Sequence, residues 1–217
     1  MSWGAMGHIV LLGDSIFDNG VYVPGEADVV RQLEAVLPAG WRATLLAVDG
    51  GITRSLASQL SRLPTEATHL VVSVGGNDAL SSVGVLGAAV RNVEEALAML
   101  ARIQAQFQED YLEMLRAVLE VRLPAALCTI YDTRIMDPDP AVIKAALALF
   151  NDCITRAAFS RGLPLIDLRL ICSDDDDYAN PIEPSAKGGA KIASAIAALV
   201  ATAGWGGHST VISGSGT

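Results

Sequence analysis

Five short apolar runs, Ile9–Leu12, Thr44–Val48, Leu70–Val74, Ala125–Ile130 and Leu163–Leu168, recur along the chain with longer segments between them. Each run is continuous rather than alternating, which is how a strand reads when both of its faces are covered. The intervening segments carry helical patterns over Ala27–Leu37, Arg54–Leu63, about Val85–Arg122, Pro140–Ala158 and about Ser185–Thr202. Strands alternating with helices require right-handed crossovers and a parallel sheet with helices on both faces. The pattern predicts an α/β chain: a flavodoxin-like three-layer α/β/α sandwich around a five-stranded parallel sheet.

At 217 residues, 51% hydrophobic and 18% charged, the chain has enough apolar material for one such core and is neither disordered nor a disulfide scaffold. Residues 1–203 are read as a single domain and 204–217, rich in Gly, Ser and Thr, as a flexible tail. The net charge of −9 argues against nucleic acid or an anionic membrane face as partner, since both need a basic surface. Cys128, Cys153 and Cys172 have no CxxC spacing and sit among apolar residues, as reduced core cysteines do. The first seven residues lack a basic or apolar leader pattern. The longest apolar stretch, Ile192–Ala203, falls short of the ~20 residues a membrane span needs. These features predict a soluble, cytoplasmic protein, and they set no oligomeric state.

In an open parallel sheet, ligands bind beyond the carboxyl ends of the strands, so the residues that follow each run carry the functional information. The first is followed by Gly13-Asp14-Ser15-Ile16, the second by Asp49-Gly50-Gly51, and the third by Gly75-Gly76-Asn77-Asp78. Tyr131-Asp132-Thr133-Arg134 follows the fourth, and the stretch Asp174–Glu183 follows the fifth. A serine directly after a strand and a glycine turn has its hydroxyl exposed at the rim, where a nucleophile belongs. Backbone N–H groups at Ser15 and Gly50, with the Asn77 amide, could surround a developing oxyanion.

Gly-Asp-Ser-Ile, the glycine after the second run, and Gly-Gly-Asn-Asp together resemble, in order and spacing, the first three blocks of the SGNH/GDSL hydrolase family. The resemblance spans about Ile9–Ala203. It implies hydrolysis of ester or related acyl bonds, with Ser15 as nucleophile and oxyanion donor and with Gly50 and Asn77 as further donors. Gly51 competes with Gly50, because the second block can slide by one residue. Where the family has Asp-x-x-His before the last helix, this chain has Asn180-Pro181-Ile182-Glu183. His8 opens the first run, ~23 Å from Ser15 at the opposite sheet edge; His69 is placed likewise, and His208 lies in the tail. Glu183 therefore stands at the base position and Asn180 at that of its orienter.

The exchange is chemically coherent. A histidine base needs an acceptor beside it, whereas a carboxylate base needs a donor, which the Asn180 amide NH2 offers. An unperturbed glutamate is ~2 pKa units less basic than histidine, roughly 3 kcal/mol, and burial near Asp14 would recover part of that.

Asp14, Gly51 and Arg54 are placed as substrate-contacting positions, with Arg54 fitting either an anion clamp or the start of a surface helix. Asp18 and Asn19 fit either the pocket or simple turn chemistry. No P-loop, HExxH or GxSxG occurs. Asp174–Asp177 lacks the ligand spacing of a calcium loop and reads as a solvated acidic loop. Neither a metal nor a cofactor is implied. The expected activity is that of a serine ester hydrolase on a small acylated substrate. The alternatives are a weak or inactive relative that keeps the pocket to bind an acyl or carboxylate ligand, and an interaction protein with a vestigial rim.

Overall fold

The structure, a computed structural model, describes residues 6–201, 205 and 211–212. Strands β1 (Gly7–Gly13), β2 (Trp41–Leu45), β3 (His69–Ser73), β4 (Ala125–Cys128) and β5 (Leu165–Ile166) form an all-parallel sheet in the order β2-β1-β3-β4-β5. This is the five-stranded α/β architecture read from the apolar runs. One feature was not foreseen. Residues 211–212, inside the segment expected to fray, pair in parallel with β5 as a two-residue β6. His208 and most of that tail lie outside the described residues.

The continuous apolar runs are explained by the two layers they serve. Ile9 and Leu11 of β1 face a core shared with α1 (Val29–Val36) and α7 (Ala186–Ala201), while Val10 and Leu12 face the opposite core. That second core is closed by α2 (Leu56–Leu60), α4 (Val93–Glu120) and α5 (Pro140–Phe159). Two shorter helices, α3 (Gly76–Ser81) and α6 (Leu168–Ile171), follow β3 and β5 directly.

Two boundaries differ from the sequence reading. Strand β2 lies three residues earlier than the run Thr44–Val48, because the Leu46 and Ala47 N–H groups both donate to the Leu11 carbonyl at 2.9 Å, breaking the regular ladder. The long segment expected over about 85–122 is divided. A 3-10 stretch at Val83–Gly87 precedes α4, whose start is set by the Asn92 side chain accepting from the Glu95 N–H at 2.8 Å.

The three cysteines are free and buried, and among the described residues no helix is long and apolar enough to cross a membrane. His8 is buried at the start of β1, with Nε2 2.7 Å from the Thr44 hydroxyl. His69 packs between the rings of Trp41 and Trp205, with centroids 4.9 and 4.5 Å away. Both lie at the entry ends of their strands, away from the rim.

Candidate active site

The turn that carries Ser15 can be built only with glycine at position 13. Gly13 has φ of 130°, and a Cβ there would stand 1.7 Å from the Ser73 carbonyl oxygen on the neighbouring strand. That close approach lets the Asp14 N–H donate to the same carbonyl at 3.1 Å. A buried glutamine locks the turn: the Gly13 N–H donates to Gln59 Oε1 and Gln59 Nε2 donates to the Gly13 carbonyl, both at 2.8 Å. Ser15 follows directly and is only 7% exposed.

Opposite it stands the loop after β2. Gly51 cannot carry a side chain, since a Cβ would meet the Gly13 carbonyl oxygen at 2.6 Å. Its N–H is already committed to the Val48 carbonyl at 2.9 Å. Gly50 has φ of 76°, and its N–H makes no hydrogen bond among the described residues; the same holds for the Ser15 N–H. Asn77, in the first turn of α3, donates one amide hydrogen to the Gly51 carbonyl at 2.9 Å and keeps a second. Asp78 ties the two loops together by accepting from the Thr53 hydroxyl at 2.7 Å and from the Thr53 N–H at 3.1 Å.

Glu183 arrives from the segment before α7 and is 5% exposed. Asn180 does not meet it as expected. Its Oδ1 accepts from the Ile182 and Glu183 N–H groups at 2.9 and 3.0 Å, so it shapes the Glu183 backbone, while Glu183 Oε2 has no hydrogen-bond partner. The reason is local: an asparagine two and three residues ahead of free N–H groups satisfies them before it can reach a side chain. Further supports come from afar. The Tyr131 hydroxyl donates to the Ile182 carbonyl at 2.7 Å, and the fully buried Asn19 donates to the Pro184 carbonyl at 3.2 Å.

In the Asp174–Asp177 loop, Asp174, Asp175 and Asp176 are exposed as a solvated acidic loop requires, and Asp177 alone departs from that reading. Asp177 is fully buried and accepts from Lys191 Nζ at 2.7 Å, and Asp174 accepts from both Lys187 and Lys191. Arg134 holds the same region, donating to Asp175 at 2.8 Å and lying 4.3 Å over the Tyr178 ring.

Asp14, Ser15, Asn77 and Glu183 line one cavity. Burial pushes the Asp14 carboxyl up to about 8, with the Glu183 and Asp78 charges adding to the rise and the Ile16 N–H opposing it. Burial also lifts Glu183 to about 7; interaction with the Ser15 hydroxyl holds it down, and the Asp49 charge raises it. The Tyr131 hydroxyl is raised well above its ordinary value, chiefly by burial. Among the described residues, no histidine, lysine or arginine lines this cavity.

Arg54 is not brought to the site. Its side chain is 68% exposed and paired with Asp110 of α4 at 2.9 Å, which leaves the surface-helix reading. Gly50, Gly51 and Asn180 flank the cavity rather than line it. Gln59 was missed by sequence reasoning, and the supporting partners of Thr53, Asn19 and Tyr131 were not assigned. Gln59 carried a signal: it falls three residues after Leu56 on the buried face of α2, where a polar residue needs an internal partner. Asn19 and Tyr131 carried none, because their partners lie 165 and 51 residues away.

The model of a family described as GDSL-like Lipase/Acylhydrolase matches residues 11–191. Among solved structures, the chain is similar to a lipase, Lip_vut3, from a goat rumen metagenome, with TM-score 0.69 and 18% identity over 93% of this chain and 99% of that one. An extracellular lipase from Streptomyces rimosus gives TM-score 0.63 and 18% identity over 91% and 99%. An acetyl xylan esterase, AlAXEase, gives 0.65 and 15% over 89% and 99%. At these identities the likeness is one of fold. No curated protein matches the chain in sequence.

Proposed function

The chain belongs to the GDSL-like Lipase/Acylhydrolase family, whose members hydrolyse esters, and on that premise we propose that Ser15 is its nucleophile and Glu183 its general base. Glu183 takes the Ser15 proton as Oγ attacks the ester carbonyl. The tetrahedral oxyanion is received by the Ser15 and Gly50 N–H groups and the second Asn77 amide hydrogen. Glu183 then returns the proton to the departing alcohol, leaving an acyl-serine. A water molecule, deprotonated by Glu183, repeats the sequence to release the acid and restore Ser15.

The observation that carries this reading is that Ser15 and Glu183 line one cavity in which, among the described residues, no histidine stands. A carboxylate near its ordinary value would be a poor base, but one lifted to about 7 is matched to neutral pH. Gly50 is favoured over Gly51 because only its N–H is uncommitted. The alternative of a pocket kept to bind a carboxylate has less support, since among the described residues the cavity offers two acids and no cation. We also place the protein in the cytoplasm, where its three free cysteines would stay reduced.

The direct test is labelling by a fluorophosphonate probe. Wild type and Glu183→Gln are compared with Ser15→Ala, which should remain folded and unlabelled. Equal labelling of the Ser15→Ala variant would remove Ser15 from the reaction.

A further inference from the structure

The carboxyl groups of the cavity lie beside Ser15, and away from them the lining carries the Ser82 and Thr133 hydroxyls among apolar side chains. This part is a mostly apolar arm running between two walls. One wall comes from α3 and the 3-10 stretch after it, through Ala79, Leu80, Val83 and Leu86; the other is the inner face of α5, through Ile143, Ala146, Leu147 and Phe150. We propose that this arm takes the acyl chain of an uncharged ester, about eight carbons long, and turns away esters that carry a charge on that chain. The proposal rests on the hydrolase reading above and names the substrate class of the same site.

Three observations support it. The four α5 positions span eight residues, ~10 Å along the helix, which is about the length of an extended eight-carbon chain. A charge entering the arm would be stripped of water without compensation, since among the described residues the cavity wall carries no cation and its carboxyl groups, Asp14 and Glu183, are both at the catalytic end. The two cations nearest the far end occupy a neighbouring depression that shares Thr133, Ile135 and Ile143 with the arm, and both are already paired. Lys144 lies 2.6 Å from Asp132 and Arg134 lies 2.8 Å from Asp175.

The order of events assigns the arm to the acyl side. The alcohol leaves first, so it belongs toward the exposed residues Val48, Asp49, Gly50 and Ile52. The acyl group must stay until water arrives, so it belongs in the arm between α3 and α5.

The test uses p-nitrophenyl esters from acetate to dodecanoate. Wild-type kcat/KM should climb about fourfold per added methylene toward octanoate, the gain expected for burying each one. Ala146→Trp places an indole in the arm and should move the optimum to butyrate or shorter. Ala148→Trp, at an exposed position of the same helix outside the cavity, should leave the profile as it is. An optimum at acetate in wild type, or a profile unmoved by Ala146→Trp, overturns the proposal.

Charge exclusion is read with methyl octanoate against monomethyl suberate, which has the same chain length but ends in a carboxylate. At least tenfold preference for the octanoate is expected, and equal turnover would hand the chain end to Lys144 or Arg134 instead. A binding arm separates this proposal from the hydrolase reading. Calorimetry on Ser15→Ala should detect methyl octanoate but not methyl acetate, with the octanoate lost on adding Ala146→Trp. Binding without turnover by wild type would sink the hydrolase reading and keep the arm; no binding of the octanoate sinks the arm.

Discussion

Asn180 steers Glu183 through the main chain: its Oδ1 accepts the Glu183 N–H at 3.0 Å and makes no hydrogen bond to the carboxylate. An aspartate could supply the same acceptor, so Asn180→Asp should keep the turn, whereas Asn180→Ala should cost about 1 kcal/mol of stability. The added charge of Asn180→Asp should also push the Glu183 pKa further up. Thermal unfolding and the pH–rate profile of each variant read the two effects separately.

A base must be deprotonated to act, so kcat/KM should rise with pH through about 7, where burial sets the Glu183 carboxyl. Glu183→Gln should flatten that limb and lower the rate by ~10²–10⁴-fold, the usual contribution of a general base. A Glu183→Gln variant with the wild-type profile would end the assignment.

Asp14 should make the protein less stable as pH rises. Its folded pKa, about 8, lies above the unsupported value of 3.8, so the folded state binds the proton more tightly. The stabilisation is therefore complete below the unfolded value, shrinks as pH climbs between the two, and levels off above about 8. Asp14→Asn removes the dependence, so its advantage in Tm over wild type should widen across that window. A constant difference would mean that Asp14 titrates alike in both states. In the enzyme, ionised Asp14 would set a second negative charge beside the oxyanion site, so wild-type activity should fall again above about 8.

Gln59 should matter to catalysis without touching substrate. Gln59→Leu strips Gly13 of two buried hydrogen bonds and should cost about 2–4 kcal/mol in urea unfolding. A serine turn loosened in this way should lower kcat more than it raises KM. Gln59→Glu keeps the acceptor for the Gly13 N–H but loses the donor to its carbonyl, so it should recover part of the loss. An unchanged kcat in a folded Gln59→Leu protein would leave the residue a purely structural role.

The architecture was legible in the sequence because it rests on local properties. A strand covered on both faces must be apolar at consecutive positions, as Ile9–Leu12 and Leu70–Val72 are, and a parallel neighbour requires a crossover helix. The rim motifs were legible for a related reason: each begins where an apolar run ends, and the topology of a parallel sheet brings those ends together. Of the site positions named from sequence, Asp14, Ser15, Asn77 and Glu183 line one cavity, whereas Gly50, Gly51, Arg54 and Asn180 do not. Strand β6 escaped because two residues are too few to carry a pattern.

What only the tertiary structure decided is where each polar group finds its partner. Gly50 and Gly51 are alike in sequence, and it is the Val48 carbonyl that takes one N–H and leaves the other. Arg54 follows a glycine-rich rim loop, yet Asp110 on α4, 56 residues away, holds it at the surface. Asn180 satisfies backbone N–H groups two and three residues ahead of it rather than the carboxylate it had been matched to. The basicity of Glu183 belongs to the folded chain too. An isolated glutamate has no means of reaching about 7; that value comes from the burial of its carboxylate within the assembled cavity. Hydrogen-bond choice and desolvation depend on which distant segments meet, and that information exists only once the chain has folded.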